Sequence, residues 1–379
     1  MKKTVRAIIL SILSVILLSF SSVDAATTTS PSLYSDKAVT IIADTGELVY
    51  SKKSTVPDFP ASTTKILTAL LMLEKLKPTD RITMTSKSVK EERNNDEIIL
   101  KKGESMKRDV ALKILIINSN NNLAYAIAEK ISGSVPEFAK LMNKRAKELG
   151  AKNSNFVNAS GLPNNKHKTT AYDLAMITRV ALKQPLLVKA MSTTKTTVKT
   201  SRQKATLTKT NAIFSNPNFL AAKTGFTNAA KNTLIEATRK NNITLIHVVL
   251  RSSKKNYPKD IEKLDAYAYS KVRKLTFVDR SNYKPTITIL DKQIETRAMS
   301  NLTLITALPE SDFTIKVVPN NFDEQTLIEK GILPKQVVGH TEVYQKNKKI
   351  KDTTLVSAYN YTFAPVDTST ASNDYDTSH

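Results

Sequence analysis

The chain has 379 residues, with 57 Lys+Arg against 34 Asp+Glu, a formal net charge of +23, and neither Cys nor Trp. The lack of Cys excludes a disulfide scaffold, a zinc ribbon, an iron–sulfur protein and a thiol nucleophile, and the four His are too far apart in sequence for the short ligand spacing of a zinc motif. None of the eight Gly falls in a GxGxxG or GxxxxGK[ST] pattern, which argues against dinucleotide and P-loop chemistry, so no cofactor and no metal are expected.

Residues 1–25 read as a secretory signal peptide. Lys2, Lys3 and Arg6 form a basic start, Ala7 to Phe20 is an uncharged apolar stretch, and Val23-Asp24-Ala25 gives a small-residue cleavage pattern before Ala26. The stretch falls short of the ~20 residues a bilayer span needs. Export to the extracellular face of a cell changes the meaning of the charge. An exported basic chain meets anionic wall polymers or lipid headgroups rather than nucleic acid, or carries its lysines as a solvated surface.

After a Thr/Ser-rich spacer, Ala38–Ile42 and Glu47–Tyr50 flank the turn Asp44-Thr45-Gly46 as a hairpin. Ser62 to Leu76 reads as a helix apolar on most faces, hence buried. Arg108 to Ile131 and Val135 to Leu149 have helical spacing, with Gly133 and Gly150 as stops. Thr170 to Leu182 is a further helix. Phe219 to Ala222 is strand-like and leads into Lys223-Thr224-Gly225. Asn232–Thr238 and Ile243–Leu250 form a second hairpin, and Pro258 to Leu275 a closing helix. Beyond Thr276 the short alternating runs 286–289, 313–318 and 354–357 predict a small all-β domain, and 365–379 a polar, disordered tail.

Chemistry concentrates in three places. In Ser62-Thr63-Thr64-Lys65, helical spacing puts hydroxyl and amine on one face. A Ser hydroxyl needs a base to become a nucleophile, and Lys serves if burial or a second cation disfavours its charged form. The same pattern recurs at Ser192, Ser201 and Ser252, but only the copy at Ser62 runs into an apolar helix. Ser119-Asn120-Asn121 offers a second hydroxyl and an amide. Lys223-Thr224-Gly225 offers a second cation, a hydroxyl donor and a Gly that lets backbone approach closely.

The order S-x-x-K, S-x-N 57 residues on, then K-T-G another 104 on, resembles the penicillin-recognising serine enzymes. The flanking segments Thr45–Tyr50, Pro60–Lys65, Asn158–Pro163, Thr169–Ala175 and Lys223–Thr227 are similar to the serine-type D-alanyl-D-alanine carboxypeptidases, the low-molecular-weight penicillin-binding proteins. That resemblance implies an α/β (α+β), β-lactamase-like catalytic domain over 26–275, an antiparallel sheet with helices on both sides, followed by a β-rich domain over 276–364. It implies peptidoglycan stem peptides as substrates and β-lactam antibiotics as ligands. Ser62 would be the nucleophile, Lys65 its base, Ser119 the proton relay and Asn121 the group orienting Lys65. Lys223, Thr224 and Thr227 would hold the substrate carboxylate, and the backbone N–H groups of Ser62 and Phe226, beside Gly225, would form the oxyanion hole. Phe226 stands where some members carry His or Tyr, and Ser160 where many carry His. A class A β-lactamase would need a Glu in an E-x-x-L-N segment, and none occurs between Asn122 and Lys223. An esterase, a DD-endopeptidase or a non-catalytic wall-binding protein remain as rivals; covalent penicillin labelling separates out the last.

Overall fold

The computed structural model describes residues 29–91, 98–209 and 212–364. The expected signal peptide over 1–25 and the expected tail over 365–379 lie outside the described residues. Contacts divide the chain into two units, one running to Arg273 and including Ile305–Ala307, the other made of Lys274–Leu304 and the residues from Leu308 onward.

The first unit is built on a five-stranded antiparallel sheet in the order Leu48–Lys52, Lys37–Ile42, Ile243–Ser252, Lys231–Lys240, Phe219–Thr227. Ile243–Ser252 is apolar on both faces and buried through most of its length, as a central strand covered on both sides must be. It joins Lys231–Lys240 through Asn241 (φ +50°) and Asn242 (φ +62°), the two left-handed residues of a tight hairpin turn. One sheet face carries the large core, where Ile246, Val248 and Ile235 meet the helices Lys65–Lys75, Asn121–Ser132, Val135–Glu148 and Ala171–Ala181. The other face packs Leu234 and Val249 against Tyr257, Ile261 and Leu264 of the helix Tyr257–Lys271. That helix stops four residues earlier than its apolar spacing predicts, because Arg273–Val278 goes on as a strand.

The second unit has its own core, including Ile294, Leu302, Val338, Val343 and Leu355. Its sheet runs Thr286–Ile289, Lys292–Ala298, Lys348–Ser357, Val337–Gln345, Phe313–Pro319. One short helix accompanies this sheet: Asp323 accepts a hydrogen bond from Thr326 N and caps Glu324–Lys330.

Candidate active site

Pro60 leads into a 3-10 turn, Ala61–Thr64, which continues without interruption as the helix Lys65–Lys75. The predicted helix is therefore tightened in its first turn, at the residues the S-x-x-K motif singles out. Ala61 has φ +49°, a conformation that costs a residue with a Cβ and is kept only where the surroundings impose it. Lys65 is fully buried (0 % exposed). Its Nζ lies 3.0 Å from Ser62 Oγ and donates to Asn121 Oδ1 at 2.6 Å and to the carbonyl of Ser160 at 2.8 Å.

The expected continuous helix 108–131 is broken, and the break brings Ser119 and Asn121 to the candidate site. Arg108–Lys113 is α-helical, Ile114–Asn118 widens into a π turn, and Ser119 flips to φ +63°. Asn120 then caps the new helix Asn121–Ser132 by accepting from Leu123 N at 2.8 Å. The apolar run 114–117 keeps the helical period, so spacing alone extends the helix through it. The polar residues 118–121 mark the interruption. Because the chain turns out at Ser119, its hydroxyl reaches Lys223 instead of lying along a helix flank.

Lys223 is on the edge strand Phe219–Thr227 and is 1 % exposed. Its ammonium donates to Ser119 Oγ at 3.0 Å and to the carbonyl of Thr224 at 2.9 Å. A Cβ on Gly225 would stand 2.8 Å from Ser62 N and 2.5 Å from Thr233 Oγ1, so only Gly lets this strand pass so close to Ser62. Thr233 donates to the carbonyl of Pro60 at 3.1 Å and pins that segment to the sheet. Phe226, next along the edge, is largely exposed. Thr227 accepts from Ala230 N at 3.0 Å and closes the turn that follows, leaving its hydroxyl proton available.

Ser62, Lys65, Ser119, Asn121, Lys223 and Gly225 thus meet in one place, with Thr224, Phe226 and Thr227 along the same strand. Sequence reasoning marked Asn158–Pro163 and Thr169–Ala175 only as family-like segments and gave no role to the loop 153–170, which is laid along the segment that carries Ser62. Asp58 bridges to Thr169 through two backbone hydrogen bonds, Lys168 Nζ stands over the Phe59 ring, and Thr68 donates to the carbonyl of Ala159 at 2.7 Å. A Cβ on Gly161 (φ +87°) would overlap the carbonyl oxygen of Ala61, another forced close approach. His167 Nδ1 accepts from Val157 N at 3.2 Å, so Nε2 carries the proton and donates to Thr64 Oγ1 at 3.0 Å. Burial holds the His167 imidazole down at about 4, so it is neutral around pH 7. The motif Asn158–Pro163 was visible as a pattern, but nothing in it said that a backbone carbonyl would hold Lys65.

Among the described residues no group of three or more His, Asp and Glu could hold a metal ion, and no helix is long and apolar enough to cross a membrane. His247 is committed elsewhere, between Thr40 Oγ1, Thr238 Oγ1 and Asp265 Oδ1. A hydroxyl 3.0 Å from a buried amine, with a second hydroxyl–amine pair beside it, is the arrangement of a serine hydrolase that uses Lys where others use His.

Known proteins agree with this class. The family model for D-alanyl-D-alanine carboxypeptidase matches residues 24–254. Over 287 residues the chain is 33% identical to a D-alanyl-D-alanine carboxypeptidase of Bacillus subtilis, covering 74% of this chain and 72% of the relative. Over 232 residues it is 32% identical to a D-alanyl-D-alanine endopeptidase of Escherichia coli, covering 60% of this chain and 74% of the relative. Its fold matches penicillin binding protein 5 of Haemophilus influenzae with a TM-score of 0.66 at 20% identity, over 89% of this chain and 100% of that one. The chain belongs to the D-alanyl-D-alanine carboxypeptidase family, serine-type penicillin-binding hydrolases of peptidoglycan metabolism.

Proposed function

We propose that the protein removes the terminal D-Ala from peptidoglycan stem pentapeptides through an acyl-enzyme on Ser62. The observation that carries this reading is the contact between Lys65 Nζ and Ser62 Oγ. Lys65 Nζ is held by Asn121 Oδ1 and the Ser160 carbonyl within hydrogen-bond distance of Ser62 Oγ, where its uncharged form can take the Ser62 proton. Burial and the nearby Lys223 cation both work against a second positive charge there.

Ser62 Oγ attacks the carbonyl carbon between the two D-Ala residues while its proton passes to Lys65. The developing oxyanion is met by the N–H groups of Ser62 and Phe226. The C–N bond breaks, and the leaving amine takes a proton relayed through Ser119. Ser119 Oγ already accepts from Lys223, so its own proton is free to point at the leaving group. Thr224 and Thr227, with the charge of Lys223, hold the terminal carboxylate. Water then cleaves the ester and restores Ser62. A β-lactam enters by the same attack and leaves a slowly hydrolysed ester.

The N-terminal segment supports export, and the excess of Lys then supports contact with anionic wall polymers or lipid headgroups, which salt-dependent sedimentation with isolated walls tests. The main experiment incubates the protein and a Ser62→Ala variant with a pentapeptide ending in D-Ala-D-Ala. Release of D-Ala by the first and not the second is expected; equal release by both overturns the reading. A cross-linked dimer of stem peptides run alongside tests the endopeptidase alternative, which the Escherichia coli relative favours.

A further inference from the structure

We propose that Asp58 is a positioning residue for the nucleophile, locking the segment that carries Ser62 to the sheet on one side and to the Lys65-holding loop on the other. The inference rests on the assignment of Ser62 and Lys65 above. Asp58 lies four residues before Ser62 and is 2 % exposed. Its carboxylate is fully engaged. Lys37 Nζ donates to Oδ2, Arg251 Nε donates to Oδ2 at 3.0 Å, Arg251 Nη2 to Oδ1 at 2.8 Å, and Phe59 N to Oδ1 at 2.8 Å. Its backbone exchanges two hydrogen bonds with Thr169, at 2.7 and 2.9 Å. One residue therefore joins the strand Lys37–Ile42, the strand Ile243–Ser252 and the far end of the loop whose Ser160 carbonyl holds Lys65.

Arg251 is bent into this role. The pairing of Lys231–Lys240 with Ile243–Ser252 slips between Asn232 and Leu234, and Arg251 at that slip has φ +55°. A bulge of this kind re-aims a side chain, here onto Asp58 and away from the regular pleat. A left-handed residue with a Cβ persists where its contacts over-determine it, and the two-pronged bond to a buried carboxylate is such a contact. Only Phe59, Pro60 and Ala61 separate this anchor from Ser62. Pro60 has a fixed φ, Ala61 is left-handed and fully buried, and the Pro60 carbonyl accepts from Thr233. So short and stiff a connection passes a shift of the anchor directly to Ser62 Oγ, whose 3.0 Å approach to Lys65 is the contact that matters.

Asp58→Asn keeps the acceptor for Phe59 N and removes the charge that gathers Lys37 and Arg251. The test measures the rate and the end point of labelling by a fluorescent penicillin, together with kcat and KM on the D-Ala-D-Ala peptide. The expected result is labelling slowed by about 10- to 100-fold with the same end-point stoichiometry, the scale set by ångström-level misplacement of a reacting group. The loss is expected in kcat, with KM within about twofold, because the carboxylate-binding strand is untouched. Labelling at the normal rate overturns the proposal, and so does a reduced end point reached at the normal rate, which marks partial unfolding. If Asp58→Asn does not fold, Arg251→Gln, which leaves Asp58 paired with Lys37, is expected to slow labelling about 10-fold, and an unchanged rate there overturns the proposal. Ser62→Ala is the separate control: covalent label on that variant would sink the assignment of the nucleophile, whatever Asp58 does.

Discussion

His167 makes the catalytic unit sensitive to acid in a definite window. Its ring is 1 % exposed, packs edge-on against Phe156 at 5.5 Å, and uses both nitrogens, one accepting from Val157 and one donating to Thr64. Burial lowers it from its ordinary value of 6.5 to about 4. In the unfolded chain the imidazole takes up a proton as pH falls below 6.5; in the fold it resists until about 4. The stability it supports is therefore complete above pH 6.5 and is lost progressively as pH falls to about 4. At 1.36 kcal/mol per unit this amounts to about 3 kcal/mol, an order-of-magnitude figure. His167→Gln does not titrate and keeps a donor and an acceptor. Urea unfolding at pH 7, 5 and 4 is expected to show the parent protein losing about 3 kcal/mol more than the variant over that range, after the shared loss from carboxylates is subtracted. Parallel pH slopes for the two would refute the reasoning.

Glu236 predicts the opposite trend. Burial pushes its carboxyl up to about 8, against the hydrogen bond from Asn216, and Oε2 has no partner among the described residues. A raised carboxyl contributes stability below the unfolded value of about 4.5 that is lost as pH rises through 8, so Glu236→Gln is expected to raise Tm at pH 8 and flatten the alkaline decline in a calorimetric scan. Gly225→Ala, with its Cβ driven to 2.8 Å from Ser62 N, is expected to abolish penicillin labelling while far-UV circular dichroism is preserved; labelling at the normal rate would contradict the close approach. The acylation rate is expected to rise with pH, because only the uncharged amine of Lys65 can take the Ser62 proton. Asn121→Asp puts a carboxylate where an amide accepts from Lys65 at 2.6 Å, favouring the ammonium form, so that profile is expected to move to higher pH.

The residues of the site were legible because the chemistry restricts which side chains can stand together and at what spacing. Ser62 and Lys65 are one helical turn apart, and a local period reports such a pair. The five strands and main helices of the catalytic unit were also largely visible, since alternation and helical spacing are local properties. Ser160, Gly161, His167 and Asp58 were not assigned a role, because each acts through a backbone carbonyl, a close approach or a buried polar contact with a partner far along the chain. The two-stranded pairs Arg81–Thr83 with Ser105–Lys107 and Lys195–Lys199 with Lys204–Thr208 were missed for a related reason. These strands are short and mostly polar, with one or two apolar residues each, so they carry little apolar signal, and neighbours rather than local pattern hold them.

The amino-acid order by itself determined the inventory: a hydroxyl and an amine on one helical face, two further polar motifs, and no thiol or metal-ligand spacing to compete with them. Tertiary structure alone decided the geometry. Lys223 meets Ser119 across 104 residues of chain, and Ser119 is available only because a π turn and a left-handed residue break a run whose apolar period would have carried the helix on. Periodicity senses neighbours a few residues away, whereas this site is made of contacts whose partners are set by how the sheet edge, the interrupted helix and the loop 153–170 pack together.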